Sequence, residues 1–311
     1  MRSGSLEGVA KIAVLGPGGV GGFVAAALAR SGADVVVVAR EETAAAIAAH
    51  GISVRSAALG SFTARPRSEP LLASDVDFLI VATKATGLPA AITRVQSAPG
   101  LIVPLLNGLE HMERLRSRFG AASVAAGVIR IESDRAAPGE IVQTSPSARV
   151  DLAADDPALA DRREALGSAL QTAGIQLRIG TSERQVLWSK LARLNALALT
   201  TSASDRPIGL VRSDPRLRSA LERAIAETVA VTNADGAQLQ AGDTLAELEQ
   251  AHAELGSSMQ RDIAAGREPE LDAIAGAVLR AGARHGLRCP TVQWLAERVA
   301  ERAGIPAPDS A

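Results

Sequence analysis

The chain has 311 residues, 47% of them hydrophobic and 22% charged, with a formal net charge of −1; that length suits two domains better than one core. No stretch concentrates Lys and Arg, so neither a nucleic acid nor an anionic membrane has electrostatic support as a partner. The one cysteine, Cys289, excludes an internal disulfide and a cysteine-based zinc site, and the four histidines stand singly, at no metal-ligand spacing.

Residues 1–10 read as a flexible polar extension. Lys11–Leu15 is an apolar run of strand length; Gly16-Pro17-Gly18-Gly19-Val20-Gly21 follows at once, and Phe23–Arg30 reads as a helix closed by Ser31-Gly32. The glycine turn breaks the apolar stretch 12–29, which a signal peptide would need unbroken. No apolar run reaches the length of a membrane span, so the chain reads as cytoplasmic. Val35–Val38 is a second continuous apolar strand, as expected where both faces of a parallel sheet are covered. Glu41–His50 reads as a helix. Asp77–Thr83 and Leu101–Leu105 read as further buried strands, with Pro104 pointing to an edge or a strand's end. Short strands follow at Val124–Ile131, Ile141–Gln143 and Ala148–Leu152, then a helix over Pro157–Ala173 and a strand at Gln176–Ile179.

After Gly180 the strand signals stop. Glu183–Thr200, Arg216–Ala234, Leu271–His285 and Val292–Arg302 carry helical periodicity, with Gly236, Gly286 and Pro290 placed where helices should end. Strands alternating with helices, then helices alone, predict two domains. The first is an α/β Rossmann domain with a mostly parallel, doubly wound sheet over 1–181. The second is an all-α domain over 182–305, followed by a disordered tail over 306–311.

Gly16, Gly18 and Gly21 form a G-x-G-x-x-G turn between a strand and a helix. The first glycine permits the tight turn, the second lets a pyrophosphate approach the backbone, and the third allows close helix–strand packing. The helix N-terminus then offers free N–H groups to the phosphates. Cofactor choice rests on the end of the second strand, where an acidic residue would bind the ribose hydroxyls of NAD. Here Arg40 comes first, suited to the 2′-phosphate of NADP, and Glu41 and Glu42 only after it. The reading favours NADP, while Glu41 turning inward would select NAD.

The chain has no tyrosine, which removes the short-chain dehydrogenases with their Tyr-x-x-x-Lys pair. Lysine occurs three times, as Lys11, Lys84 and Lys190, against 30 arginines. In a chain that places its solvated positive charge on arginine, a lysine is a good candidate for a task arginine cannot do, such as giving up a proton. Lys84 follows the strand Asp77–Thr83, and Asn107-Gly108 follows the next one. Both lie at C-terminal strand ends, where open α/β sheets bind ligands. A solvated loop charge and a plain turn are the bland alternatives for these two.

Together with Trp188-Ser189-Lys190-Leu191, Ser257-Ser258-Met259-Gln260-Arg261-Asp262, Gly266-Arg267 and Glu270-Leu271-Asp272, these motifs resemble the ketopantoate reductase (2-dehydropantoate 2-reductase) family, in order from about Lys11 to Arg302. The resemblance implies reduction of 2-dehydropantoate to pantoate with NADPH, a step toward coenzyme A. It implies Lys190 as the general acid, with Glu270 binding substrate or orienting that lysine. Ser258 and Asn107 would hydrogen-bond the substrate, and Lys84 would sit by the nicotinamide ribose and substrate. Asn107 and Glu270 also enter as cofactor contacts, with Gly16, Pro17, Gly18, Gly19, Val20, Gly21, Arg40 and Lys84. From the residues alone, the preferred readings are plainer: Glu270 and Asp272 as helix-start acids, and Ser257 and Ser258 as a helix N-cap.

In one respect the chain departs from that family, which usually carries asparagines four and eight residues past the lysine. Those positions are Leu194 and Ala198, and Asn195 stands five residues on, about 140° further round a helix. Either Asn195 takes over through a local change in the helix, or the site is more apolar and the substrate a different 2-oxo or hydroxy acid. A third reading is an NADP(H)-binding regulator without turnover. The partner implied is a small 2-oxo acid. Alanine-rich faces such as Ala273–Ala283 permit close helix packing within the chain or in a homodimer.

Overall fold

The computed structural model describes residues 10–309. The extension expected over 1–10 therefore lies outside the described residues save Ala10. Of the tail expected over 306–311, residues 306–309 are described, without regular structure but with Pro308 buried.

The described chain divides into two compact units, one of residues up to Leu106 with His111–Val186, the other of Asn107–Glu110 with Leu187 onward. The first is built on a parallel sheet of β1 (Lys11–Leu15), β2 (Asp34–Val38), β5 (Arg67–Glu69), β6 (Phe78–Val81) and β7 (Leu101–Pro104). The order is β5-β2-β1-β6-β7. The chain reverses its direction of winding between β1 and β6, the place where such sheets bind ligands. Every residue of β6 and β7 is buried, and Pro104 is the last residue of the edge strand, where its missing N–H costs no ladder bond.

Helix α1 (Gly19–Arg30) follows β1 and buries Phe23, Val24 and Leu28, while α2 (Glu41–His50) follows β2. A second sheet, β4-β3-β10-β9, joins β3 (Ile52–Ser56), β4 (Gly60–Ala64), β9 (Ser133–Ala137) and β10 (Glu140–Gln143), and its strands pack on α1. A third, β12-β11-β8, joins β8 (Ala126–Arg130), β11 (Arg149–Ala153) and β12 (Gln176–Ile179). Helices α3 (Leu88–Ile92), α4 (His111–Phe119) and α5 (Ala160–Thr172) complete the elements up to β12.

Helix α6 (Glu183–Ser204) runs unbroken for 22 residues. The second unit continues with α7 (Ile208–Ser213), α8 (Pro215–Ala234), α9 (Ala241–Glu249) and α10 (Ser258–Ala264). A π-helical turn (Asp272–Gly276) then runs directly into α11 (Ala277–Arg284), before α12 (Pro290–Ala303). Local chemistry explains the boundaries. The Asp214 carboxylate caps α8 by accepting from Arg216 N–H (2.9 Å) and Leu217 N–H (3.2 Å). Gly236 and Gly286, at φ +95° and +68°, end α8 and α11. Pro290 opens α12 instead of ending a helix, because a first-turn position needs no N–H. Trp188 is 1% exposed in this unit's core, and its indole N–H donates to Asp235 Oδ2 at 2.8 Å. Lys190, two residues on, is thereby carried about 200° round α6, where it is half-buried. Burial pushes the Cys289 thiol up to about 11, so it is a neutral packing residue.

Candidate active site

The glycine turn has the geometry its sequence implies. Gly16 stands at φ +90° and donates its N–H to Val38 O (3.0 Å), tying the turn to the end of β2. A Cβ on Gly21 would lie 2.2 Å from Gly16 O, and one on Gly19 2.3 Å from Ser133 O. At Gly18 a Cβ would meet nothing within 4 Å. Packing therefore forbids side chains at Gly19 and Gly21, whereas Gly18 faces space. Gly18 is the N-cap of α1, whose first turn holds no acidic residue. Free N–H groups and an open approach at a helix N-terminus fit a pyrophosphate. Ser133 Oγ donates to Gly19 O at 2.8 Å, so β9 braces the start of this helix; sequence reasoning found neither the strand nor Ser133.

Two predicted positions follow strands whose C-terminal ends meet this turn. Arg40 is exposed directly beyond β2, and Lys84 is exposed three residues beyond β6. The chain leading to Lys84 lies against the turn, since a Cβ on Gly16 would meet Thr83 Cγ2 at 2.7 Å. Glu41 is held elsewhere. Arg94 grips its carboxylate with two bonds (3.0 and 3.3 Å) while also donating to Pro70 O. That hydrogen bonding keeps the exposed Glu41 carboxyl below its ordinary range.

The other candidates belong to the second unit. Asn107 Nδ2 donates to Glu270 Oε2 at 2.9 Å, so two residues 163 positions apart form one group. Glu270 is half-buried just before the helix that opens at Leu271, and its carbonyl accepts from Ile274 N–H (3.1 Å). Lys190 is half-buried on α6, with Leu194 half-buried one turn on and Ala198 fully buried. Ser257 is the N-cap of α10; its hydroxyl accepts from Gln260 N–H (3.1 Å) and from Thr201 Oγ1 (3.0 Å). Ser258 follows, exposed.

Asn195 is not brought to this group. It is 0% exposed and donates from Nδ2 to Thr228 Oγ1 of α8 at 2.9 Å. Because α6 is regular throughout, no local change turns Asn195 to the side of Lys190, and the substrate-binding role expected for it is corrected to a place in the helical core. Among the described residues, no group of three or more His, Cys, Asp and Glu could hold a metal ion. No described helix is long and apolar enough to cross a membrane.

A glycine-turn Rossmann unit joined to a helical unit that carries a half-buried lysine and an anchored glutamate defines a Rossmann-type oxidoreductase. The chain belongs to the ketopantoate reductase PanE/ApbA family, whose profile matches residues 12–157, while that of the family's C-terminal part matches residues 183–303. It is 30% identical to the 2-dehydropantoate 2-reductase of Caulobacter vibrioides over 90% of this chain and 94% of that protein. Among solved structures, the 2-dehydropantoate 2-reductase of Geobacter metallireducens superposes with a TM-score of 0.86 at 28% identity, over 94% of this chain and 99% of that one. D-mandelate dehydrogenase with NADH and anilino(oxo)acetate has the same fold (TM-score 0.86, 20% identity, 94% of this chain and 98% of that one).

Proposed function

We propose that the protein reduces 2-dehydropantoate to pantoate with NADPH, as the names of its relatives suggest. The observation that carries this reading is the Asn107–Glu270 pair, at 2.9 Å in the same compact unit as the half-buried Lys190. The turn Gly16–Gly21 would hold the pyrophosphate, Arg40 the 2′-phosphate, and Lys84 the nicotinamide ribose. Bound there, NADPH supplies the hydride. Lys190 donates a proton to the carbonyl oxygen, and its positive charge stabilises the negative charge developing on that oxygen. Hydride on carbon and proton on oxygen together give the hydroxy acid. Glu270, anchored by Asn107, orients the lysine or the substrate, and Ser258 binds substrate from the exposed start of α10.

Purified protein mixed with NADPH and 2-dehydropantoate is expected to consume reduced nicotinamide, followed by its absorbance. Cofactor bound without turnover of this acid or a panel of other 2-oxo acids would overturn the reading.

Leu194 and Ala198 favour a second reading. With Asn195 turned into the core, the lysine's side of α6 is apolar where the family usually has asparagines. Such a wall fits a 2-oxo acid lacking the distal hydroxyl, and kcat/KM for an alkyl or aryl 2-oxo acid above that for 2-dehydropantoate would select it.

The preference for NADPH rests on Arg40 being exposed beyond β2 while Arg94 engages Glu41. Arg40→Ala is expected to raise KM for NADPH by about tenfold or more, the worth of a lost charge-assisted hydrogen bond. KM for NADH should hardly change. An equal effect on both cofactors would remove the 2′-phosphate from Arg40.

A further inference from the structure

Resting on the reading above, we infer that Arg280 is a positioning residue of the active site, clamping the loop that carries Asn107 onto the helix that carries Glu270. Its guanidinium grips Glu110 with two bonds, Nε to Oε1 at 2.8 Å and Nη2 to Oε2 at 2.9 Å. The remaining side of the fork meets Asp272, with Nη1 to Oδ1 at 2.7 Å and Nη2 to Oδ2 at 3.3 Å. One planar cation thus fixes a loop carboxylate and a helix carboxylate together, a task its rigid fork of five donors suits and an ammonium does not. The arginine side chain is 21% exposed, against 42% for Glu110 and 67% for Asp272, so the Glu110 pair is the less screened of the two.

The backbone is arranged for this clamp. In a regular α-helix, residues eight apart stand about 80° apart round the axis. The π-helical turn Asp272–Gly276 takes up one residue more, which brings Asp272 and Arg280 within about 20° of one face. Between them stands Gly276, where a Cβ would lie 2.4 Å from Asp272 Oδ1 and 2.8 Å from Arg280 Nη1. The missing side chain leaves room for the ion pair to close over the turn. On the loop side, Gly108 at φ +86° presses its backbone on the same turn, since a Cβ there would be 2.2 Å from Ala273 O. Asn107 and Glu110 therefore flank one close backbone contact, each making its own bond to the helix. Releasing Glu110 loosens the loop whose other end holds the Glu270 carboxylate.

Glu270 is the group acted upon: Arg280 reaches it through Glu110 and the loop that carries Asn107, and also through Asp272, two residues along the chain from Glu270. The test is a double-mutant cycle in the full-length protein, with Arg280→Met and Glu110→Gln made separately and each combined with Asn107→Ala. Hydrogen exchange of the 107–110 amides is measured alongside. Both single variants are expected to lower kcat by about ten- to hundredfold through misplacement of Glu270, and to speed exchange across 107–110. In the Asn107→Ala background Glu110→Gln should not lower kcat further, while Arg280→Met keeps only the part of its loss that runs through Asp272. A Glu110→Gln loss that multiplies with Asn107→Ala, or exchange at the wild-type rate in both variants, would overturn the clamp. Glu110→Gln leaves the helix sequence intact and guards against an Arg280→Met protein that fails to fold. A wild-type protein without turnover of any 2-oxo acid would refute the proposed reaction, and the exchange rates would still decide whether Arg280 holds the loop.

Discussion

Lys190→Ala is expected to lower kcat/KM by about 10²–10⁴-fold, the contribution of a well-placed general acid. Binding of reduced nicotinamide, followed by its fluorescence, should survive, because the glycine turn and Arg40 belong to the other compact unit. Composition first singled this residue out, as one of three lysines beside 30 arginines. The helix gives that preference a physical basis. Trp188 is anchored in the core through Asp235, which fixes the rotation of α6 and leaves Lys190 half-buried about 200° round from it. Lys190→Arg separates charge from proton transfer. A guanidinium keeps the positive charge but does not release a proton in the working range, so it should restore only a small part of the loss. Small primary amines added to Lys190→Ala should raise turnover in proportion to their concentration. A variant altered in KM alone, with kcat unchanged, would make Lys190 a substrate-binding cation and leave the proton donor to be found elsewhere.

What the sequence made legible follows from how each element is buried. Strands β1, β2, β6 and β7 are covered on both faces and so appear as continuous apolar runs. Strands β3, β4 and β9 went unseen because they are short, largely exposed and mostly polar; Ile52–Ser56 alternates buried and exposed positions over only five residues. The π turn was hidden because Asp-Ala-Ile-Ala-Gly has ordinary helical periodicity. Its extra residue shows only in how Asp272 meets Arg280. Lys190 and Glu270 could be named from local motifs. Asn107 could be named too, but not its bond to Glu270 across 163 positions, and Arg280, which reaches Glu110 across 170, gave no local signal. Residues 107–110 were expected to belong with the strands that precede them. Gly108 against Ala273 and Arg280 against Glu110 group them with the helices instead. Asn195 shows the limit of residue type as a guide. It is one of three asparagines and close to the lysine in sequence, yet five residues along a regular helix is the wrong side.

The three glycines of the turn are expected to fail in different ways when given a side chain, which separates binding from folding. Gly21→Ala places a methyl 2.2 Å from Gly16 O and 3.0 Å from Ala82 Cβ. Neither neighbour can yield without opening the turn or shifting α1 off the sheet. The variant should lose about 1–3 kcal/mol of stability from overpacking, together with nucleotide binding. Gly16→Ala adds backbone strain, because Gly16 stands at φ +90° and a Cβ would also press on Thr83 at 2.7 Å. Gly18→Ala is the informative case. Its φ of −75° suits any residue, and its Cβ would meet nothing within 4 Å. Loss of stability should stay below about 1 kcal/mol, the scale of an N-cap exchange. Affinity for NADPH should nevertheless fall by about tenfold or more as the pyrophosphate loses a charge-assisted backbone hydrogen bond. Thermal unfolding and a nucleotide titration on the same three variants measure both quantities. If Gly18→Ala binds NADPH like the wild type, the pyrophosphate does not approach that backbone and the cofactor site assigned to the turn is wrong. If it unfolds as early as Gly21→Ala, the space seen at Gly18 is filled by protein in solution.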